Sequence, residues 1–160
     1  MRRAPLLAGV LGALLSAAAT AHPAPNSLLK LEFGADSVHA EYWVPESELA
    51  YARAADPAGT EFASYLMRHF AVETPQGEAW KIKVGSIRAT TYLDHAYLVA
   101  QLTLAPPAGA SVRHFVLIDD AVTHEVRNHI VYVVTSGSDA VDLLGTLQYP
   151  ARRLEIAPPG

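Results

Sequence analysis

The segment Ser27 to Val44, SLLKLEFGADSVHAEYWV, decides the fold because it holds two strand patterns separated by a turn. Residues Ser27 to Phe33 alternate well enough for a strand, and Gly34 to Ser37 has the composition of a turn. In the next stretch, apolar residues recur at every second position: Val38, Ala40, Tyr42 and Val44. The sequence therefore predicts that the domain opens with a β-hairpin.

Outward from this hairpin, most segments are rich in strand-forming residues. Helical spacing is confined to residues 45–70, where Thr60 to Phe70 is the better helix. The further predicted strands are Trp80–Tyr92, His95–Leu104, Arg113–Ile118, Ile130–Thr135, Leu143–Tyr149 and Arg152–Ile156. About eight short strands with turn signals between them favour an all-β fold, an immunoglobulin-like β-sandwich with a short helical insertion.

The first 21 residues have the pattern of a cleavable export signal. Arg2 and Arg3 precede an uncharged apolar run from Leu6 to Ala19, and Ala19-Thr20-Ala21 has the small-x-small form of a cleavage site. This run is too short for a membrane span. We therefore expect a signal peptide at 1–21, a sandwich domain at 22–157, a C-terminal tail at 158–160, and a periplasmic or extracellular location.

Composition narrows the classes of partner and ligand. Loss of Arg2 and Arg3 with the signal leaves ten Lys and Arg residues against 16 acids, a formal charge of −6. This balance argues against nucleic acid as a partner. Cysteine is absent, so a metal site would use histidine, carboxylate or amine ligands.

The densest polar cluster runs from Asp119 to His129, between two apolar strands. If Glu125 to Asn128 makes a four-residue turn, His124 and His129 face each other across a hairpin, close enough to share one metal ion. Asp120 is the weakest member of this set, since an extended strand carries it about 13 Å from His124. If the segment runs straight, the two histidines point to opposite faces, and an ordinary polar turn is the competing interpretation.

Cleavage of the signal would make His22 the first residue of the mature chain. Its α-amine and imidazole can bind one metal ion together, and neutral nitrogen donors suit copper, nickel and zinc. Square-planar amino-terminal copper and nickel motifs bind through a deprotonated backbone amide, and Pro23 has no amide hydrogen to lose. The expected donors are therefore the amine, the His22 ring and a second histidine. The other histidines are predicted to be solvated or structural, with His69 favoured by the dipole at a helix end.

Several segments resemble the extracytoplasmic amino-terminal region of HupE/UreJ-type membrane proteins. They are His22 to Ser27, "WKIKVGSIR" at 80–88, "LAPPAGASVRHFVL" at 104–117 and, most specifically, "DAVTHEVRNHIVYV" at 120–133. The similarity covers residues 22–157 and implies a periplasmic role in handling nickel or cobalt. Members of that family usually continue into several transmembrane helices, so the chain is expected to be either a tethered fragment or a free-standing soluble relative.

These observations predict an exported domain that binds a nickel, cobalt or copper ion, or presents it to a membrane transporter domain in the same chain or another. The expected ligands are His22, His124 and His129, with Asp120 beside them. The alternative is an immunoglobulin-like interaction module with no metal role, which an exposed edge strand or a patch at Tyr42, Trp43 or Tyr97 would favour. No nucleophile elbow, cysteine or phosphate loop is present, so we do not expect an enzyme.

Overall fold

A computed structural model describes residues 25–54, 62–136 and 141–158 of the 160-residue chain. The expected signal peptide and His22 lie outside these residues. In chain order the elements are β1 (Ser27–Phe33), β2 (Val38–Pro45), α1 (Glu46–Ala54), α2 (Phe62–His69), β3 (Phe70–Glu73), β4 (Lys81–Tyr92), β5 (His95–Ala105), β6 (Phe115–Asp119), β7 (Val131–Ser136), β8 (Val141–Leu147) and β9 (Arg153–Ile156).

The larger sheet has six strands in the order β4-β5-β2-β1-β7-β8. Its centre is the predicted hairpin, in which Leu29 lies opposite Tyr42 across an antiparallel pair. Strand β1 also pairs in parallel with β7, where Ser27 lies opposite Val131. Strand β1 therefore lies inside the sheet, and its neighbour β7 joins it about a hundred residues later in the chain.

The smaller sheet has the order β3-β6-β9, with β6 in the middle. Both sheets and both helices contribute to one apolar core. Its members include Leu29, Leu31, Tyr42, Leu102, Leu104 and Val133 from the six-stranded sheet, Phe70, Val72, Phe115, Leu117 and Ile156 from the other sheet, and Leu49, Tyr65 and Leu66 from the helices. This arrangement confirms the all-β, sandwich-like fold with a short helical insertion.

Two local predictions were wrong. The helix expected to run to Phe70 ends at His69, because Phe70 to Glu73 form strand β3 against β6. The segment between Asp119 and Val131 is not a hairpin turn, because β6 and β7 belong to different sheets. The chain here crosses from one layer to the other, which changes where its polar residues point.

Among the described residues, no helix is long and apolar enough to cross a membrane.

Candidate functional site

Helix α2 brings two ring side chains to the end of the smaller sheet. Tyr65 and His69 are four residues apart, so they lie on one face of the helix, and their ring centroids are 4.6 Å apart. Tyr65 is fully buried, whereas the His69 side chain is 17% exposed. The helix ends at His69, and the chain enters β3 directly, which fixes this histidine at the edge of the core.

The chain turns back on itself after β6. The His124 amide donates to the Asp120 carbonyl at 3.0 Å, so the extended separation expected for these two residues does not occur. Val122 has a φ of 64°, a left-handed conformation that β-branched residues rarely adopt. Its amide donates to the Tyr65 hydroxyl at 2.9 Å, which ties the turn to α2.

The turn stacks His124 against His69. The two imidazole rings are nearly parallel, with an angle of 6° between their planes and centroids 4.3 Å apart. His69 Nδ1 donates to Asp120 Oδ1 at 2.8 Å, and the Asp120 amide donates to the His69 carbonyl at 3.0 Å. We call His69, His124 and Asp120 the histidine cluster.

Three neighbouring side chains contact the histidine cluster. The Tyr65 hydroxyl lies 3.1 Å from His124 Nε2. The same hydroxyl accepts the Val122 amide, so it joins His124 to the turn. His124 Nδ1 lies 3.5 Å from Glu125 Oε1. On the other side, Arg152 Nη1 is 3.3 Å from Asp120 Oδ2, so a cation partly neutralises the orienting carboxylate.

The buried carboxylate of Asp119 binds the backbone at the start of the turn. Asp119 is fully buried, accepts a hydrogen bond from the Tyr42 hydroxyl, and accepts the Ala121 amide at 2.9 Å. Burial raises the pKa of the Asp119 carboxyl to about 7, although both hydrogen bonds favour the ionised form. Burial, followed by the Asp119 charge, raises the pKa of Tyr42 well above its usual value of 10.

His129 lies in a different environment from His124. It is 2% exposed, and its Nε2 is 2.8 Å from Ser27 Oγ at the start of β1. Burial lowers its pKa to about 4, so the ring is neutral near pH 7. In the described part of the chain, no hydrogen bond or ring contact joins it to His124. The structure therefore brings Asp120 and His124 together, and it places His129 against the start of strand β1.

A cleft of 370 Å³ opens beside the histidine cluster. The residues around it are Asp120, Thr123, His124, Tyr149, Pro150 and Arg152. On its rim, the Arg127 guanidinium lies 4.6 Å from the centre of the Tyr149 ring. His124 and Asp120 side chains are 19% and 26% exposed, so a dissolved ion can reach both.

The histidine cluster fits a transition metal in part. Imidazole nitrogens are suitable donors for copper, nickel or cobalt, and a carboxylate bonded to the far nitrogen of a metal-binding histidine is a common way to orient it. Within residues 25–54, 62–136 and 141–158, no three His, Asp or Glu side chains converge as a complete metal site.

Sequence reasoning missed His69, Tyr65 and Arg152. The only signal for the first two was their spacing of four on a helix, which is also the spacing of ordinary core residues. Arg152 lies 32 residues from Asp120, and nothing in the local sequence links the two.

The chain was compared with known protein families and with curated proteins, and neither comparison gives a match.

Proposed function

We propose that this chain is an exported metal-handling domain in which the His69 and His124 rings turn out of their stacked arrangement and each supply one ring nitrogen to a nickel, cobalt or copper ion. Asp120 keeps His69 oriented through Nδ1, and Glu125 places negative charge beside His124. The observation that carries this proposal is the proximity of the two imidazoles, whose ring centroids are 4.3 Å apart, together with the cleft that His124 and Asp120 line. It agrees with the role that the resemblance to HupE/UreJ-type proteins implies.

The mature amino terminus is our proposed source of a further donor. His22 lies three residue steps before Pro25, a distance of at most about 11 Å. The described chain begins beside the 120–130 segment, since Asn26 Oδ1 accepts the Ile130 amide at 3.0 Å. An amine and a ring from His22 would complete a site that the described residues supply only in part.

A site that binds its metal ion through two histidines and is open to solvent is better suited to transferring the ion than to storing it. Ligand number and rigidity set how tightly a site holds its ion, and a partly exposed cation can be passed to another set of ligands. We therefore propose that the domain presents its ion to a membrane transporter domain, in the same chain or in another.

Calorimetric titration of protein beginning at His22 with Ni²⁺, Co²⁺ and Cu²⁺ tests the proposal. We expect binding of at least one ion with a Kd below about 10 µM, which corresponds to about 7 kcal/mol. His69→Gln and His124→Gln should each weaken binding at least about tenfold, and Asp120→Asn by about 10–100-fold, the usual effect of losing an orienting partner.

His114→Gln is the matched control. His114 also makes a contact of 2.7 Å with a carboxylate, that of Glu155, but it lies outside the histidine cluster and is 49% exposed. Its substitution should leave the affinity unchanged. Absence of binding by all three ions, or equal losses in the control and the cluster variants, would contradict the proposal.

An interaction module remains the second candidate function, because one of its expected features is present. Trp43 packs edge-on against Tyr92 and Tyr97, with centroids 6.5 and 6.0 Å away, and Tyr92 is 58% exposed. Tyr42, in contrast, is fully buried and cannot contact a partner. Recovery of a partner that is unaffected by a chelator would favour this function over metal handling.

A further inference from the structure

Strand β4 forms one edge of the six-stranded sheet. It runs for 12 residues from Lys81 to Tyr92 and pairs on one side with β5. In the described residues no strand covers its other side, so its outward backbone N–H and C=O groups offer a site for strand addition. Most of its side chains are exposed.

This edge strand is basic in an otherwise acidic chain. It contains Lys81, Lys83 and Arg88 and no acid, whereas the whole chain has a formal charge of −4. Lys81 and Lys83 lie opposite Ala105 and Thr103 of β5, and Arg88 lies opposite Val99. The three β5 positions differ by even numbers and therefore share one face of the sheet.

A bulge puts the three cations on that common face. Between Val84 and Ile87 the chain advances three residues, while the opposing β5 positions, Leu102 and Ala100, are two apart. One extra residue at Gly85-Ser86 shifts the alternation, because without it Arg88 and Lys83 would point to opposite faces. Glycine at position 85 also lets the β4 and β5 backbones approach each other closely, since a Cβ there would lie 3.3 Å from the Gln101 carbonyl oxygen.

Arg88 is held in position beside the aromatic group of β2 and β5. Its guanidinium lies 5.3 Å from the centre of the Trp43 ring and 3.7 Å from Glu41. The basic face therefore continues into a partly exposed aromatic surface that reaches Tyr92. Such a combination can pair charges and bury apolar area on the same partner segment.

We propose that β4 binds an extended segment of a partner protein that carries Asp or Glu at alternate positions and adds to the sheet as a seventh strand. Main-chain hydrogen bonds would provide affinity, and the cations of β4 would select acidic side chains. A second copy of this chain is a poor occupant, because pairing β4 with β4 places like charges next to each other. This inference does not depend on metal binding.

The test uses two fluorescent peptides of equal length, one alternating Glu with Val and one alternating Lys with Val. We expect the acidic peptide to bind and the basic one not to bind. Lys83→Glu should weaken binding of the acidic peptide by about tenfold, as reversal of a cross-strand charge pair predicts. Arg113→Glu is the matched control, because Arg113 is exposed and lies outside β4.

Amide hydrogen exchange locates the bound peptide. Strand addition predicts slower exchange within Lys81–Tyr92 and no change in β8, the strand at the other edge of the sheet. Protection of β8 instead, equal binding of both peptides, or equal losses in the two charge variants would overturn the proposal. Self-association without peptide, or binding of a polyanionic oligonucleotide with equal affinity and no protection of β4, would also overturn it.

Discussion

The two buried titratable groups, Asp119 and His129, should give this protein opposing dependences of stability on pH. Burial raises the pKa of Asp119 from 3.8 to about 7, so between these values the folded state holds a proton that the unfolded state has lost. Stability from Asp119 is therefore fully present below pH 3.8 and is lost as the pH rises through about 7. The size of this loss is about 4 kcal/mol.

His129 acts in the opposite direction. Burial lowers its pKa from 6.5 to about 4, so in this range the unfolded state binds the extra proton. Its contribution is present above pH 6.5 and is lost as the pH falls through about 4, with a size of about 3 kcal/mol. In the wild-type protein the two effects cancel to within about 1 kcal/mol between pH 4 and 6.5.

Asp119→Asn and His129→Gln should separate the two effects. Relative to wild type, the first variant should gain about 4 kcal/mol of unfolding free energy as the pH rises from about 4 to 7, and the second should lose about 3 kcal/mol from about 4 to 6.5. Urea unfolding at a series of pH values, followed by fluorescence, measures these differences, and groups common to all three proteins cancel. Parallel pH curves for wild type and Asp119→Asn would refute the reasoning, because Asp119 would then titrate alike in both states.

Three further predictions concern single features of the fold. Leu93 and Asp94 connect β4 and β5, and both have positive φ values, 46° and 64°, which Asn and Gly adopt more readily. Replacing them with Asn-Gly should therefore raise the free energy of unfolding by about 1 kcal/mol in urea. A loss of stability would contradict this interpretation of the turn. Tyr65→Phe removes the acceptor of the Val122 amide and should lower the free energy of unfolding by about 1–3 kcal/mol; an unchanged value would show that another group binds this amide. Gly145→Ala places a Cβ 2.7 Å from Leu154 Cδ1, the end of a half-buried side chain that can rotate away, and should lower the free energy of unfolding by less than about 1.5 kcal/mol. A larger loss in urea unfolding would show that Leu154 cannot move.

The sequence predicted the parts of the fold that depend on local alternation. The β1–β2 hairpin and the long strand β5 have side chains that alternate between core and surface, and they lie where the pattern placed them. Strand β4 lies where strand-forming residues are concentrated, although most of its side chains are exposed. Strand β3 was missed because it has four residues and Phe70 continues the apolar spacing of α2. The parallel pairing of β1 with β7 joins residues about a hundred positions apart, which no local pattern encodes.

For the histidine cluster, the sequence pointed to the segment that holds His124 and Asp120 but paired His124 with the wrong histidine. His124 and Asp120 belong to the histidine cluster, as their polar surroundings indicated. His129 was paired with His124 on the assumption of a hairpin, but the segment crosses between sheets and buries His129 against Ser27. His69 was assigned to a helix end, and its contact with His124 arises only when α2 packs beside the turn.

Paramagnetic broadening of the histidine ring signals in isotope-labelled protein is the most direct test of the proposed metal site. Substoichiometric Cu²⁺ should broaden the imidazole signals of His69 and His124 first, together with His22 in protein cut after Ala21, while those of His39, His95 and His114 stay sharp. Preferential broadening at these last three rings, or uniform broadening of all histidines, would contradict the assignment of metal binding to the stacked pair.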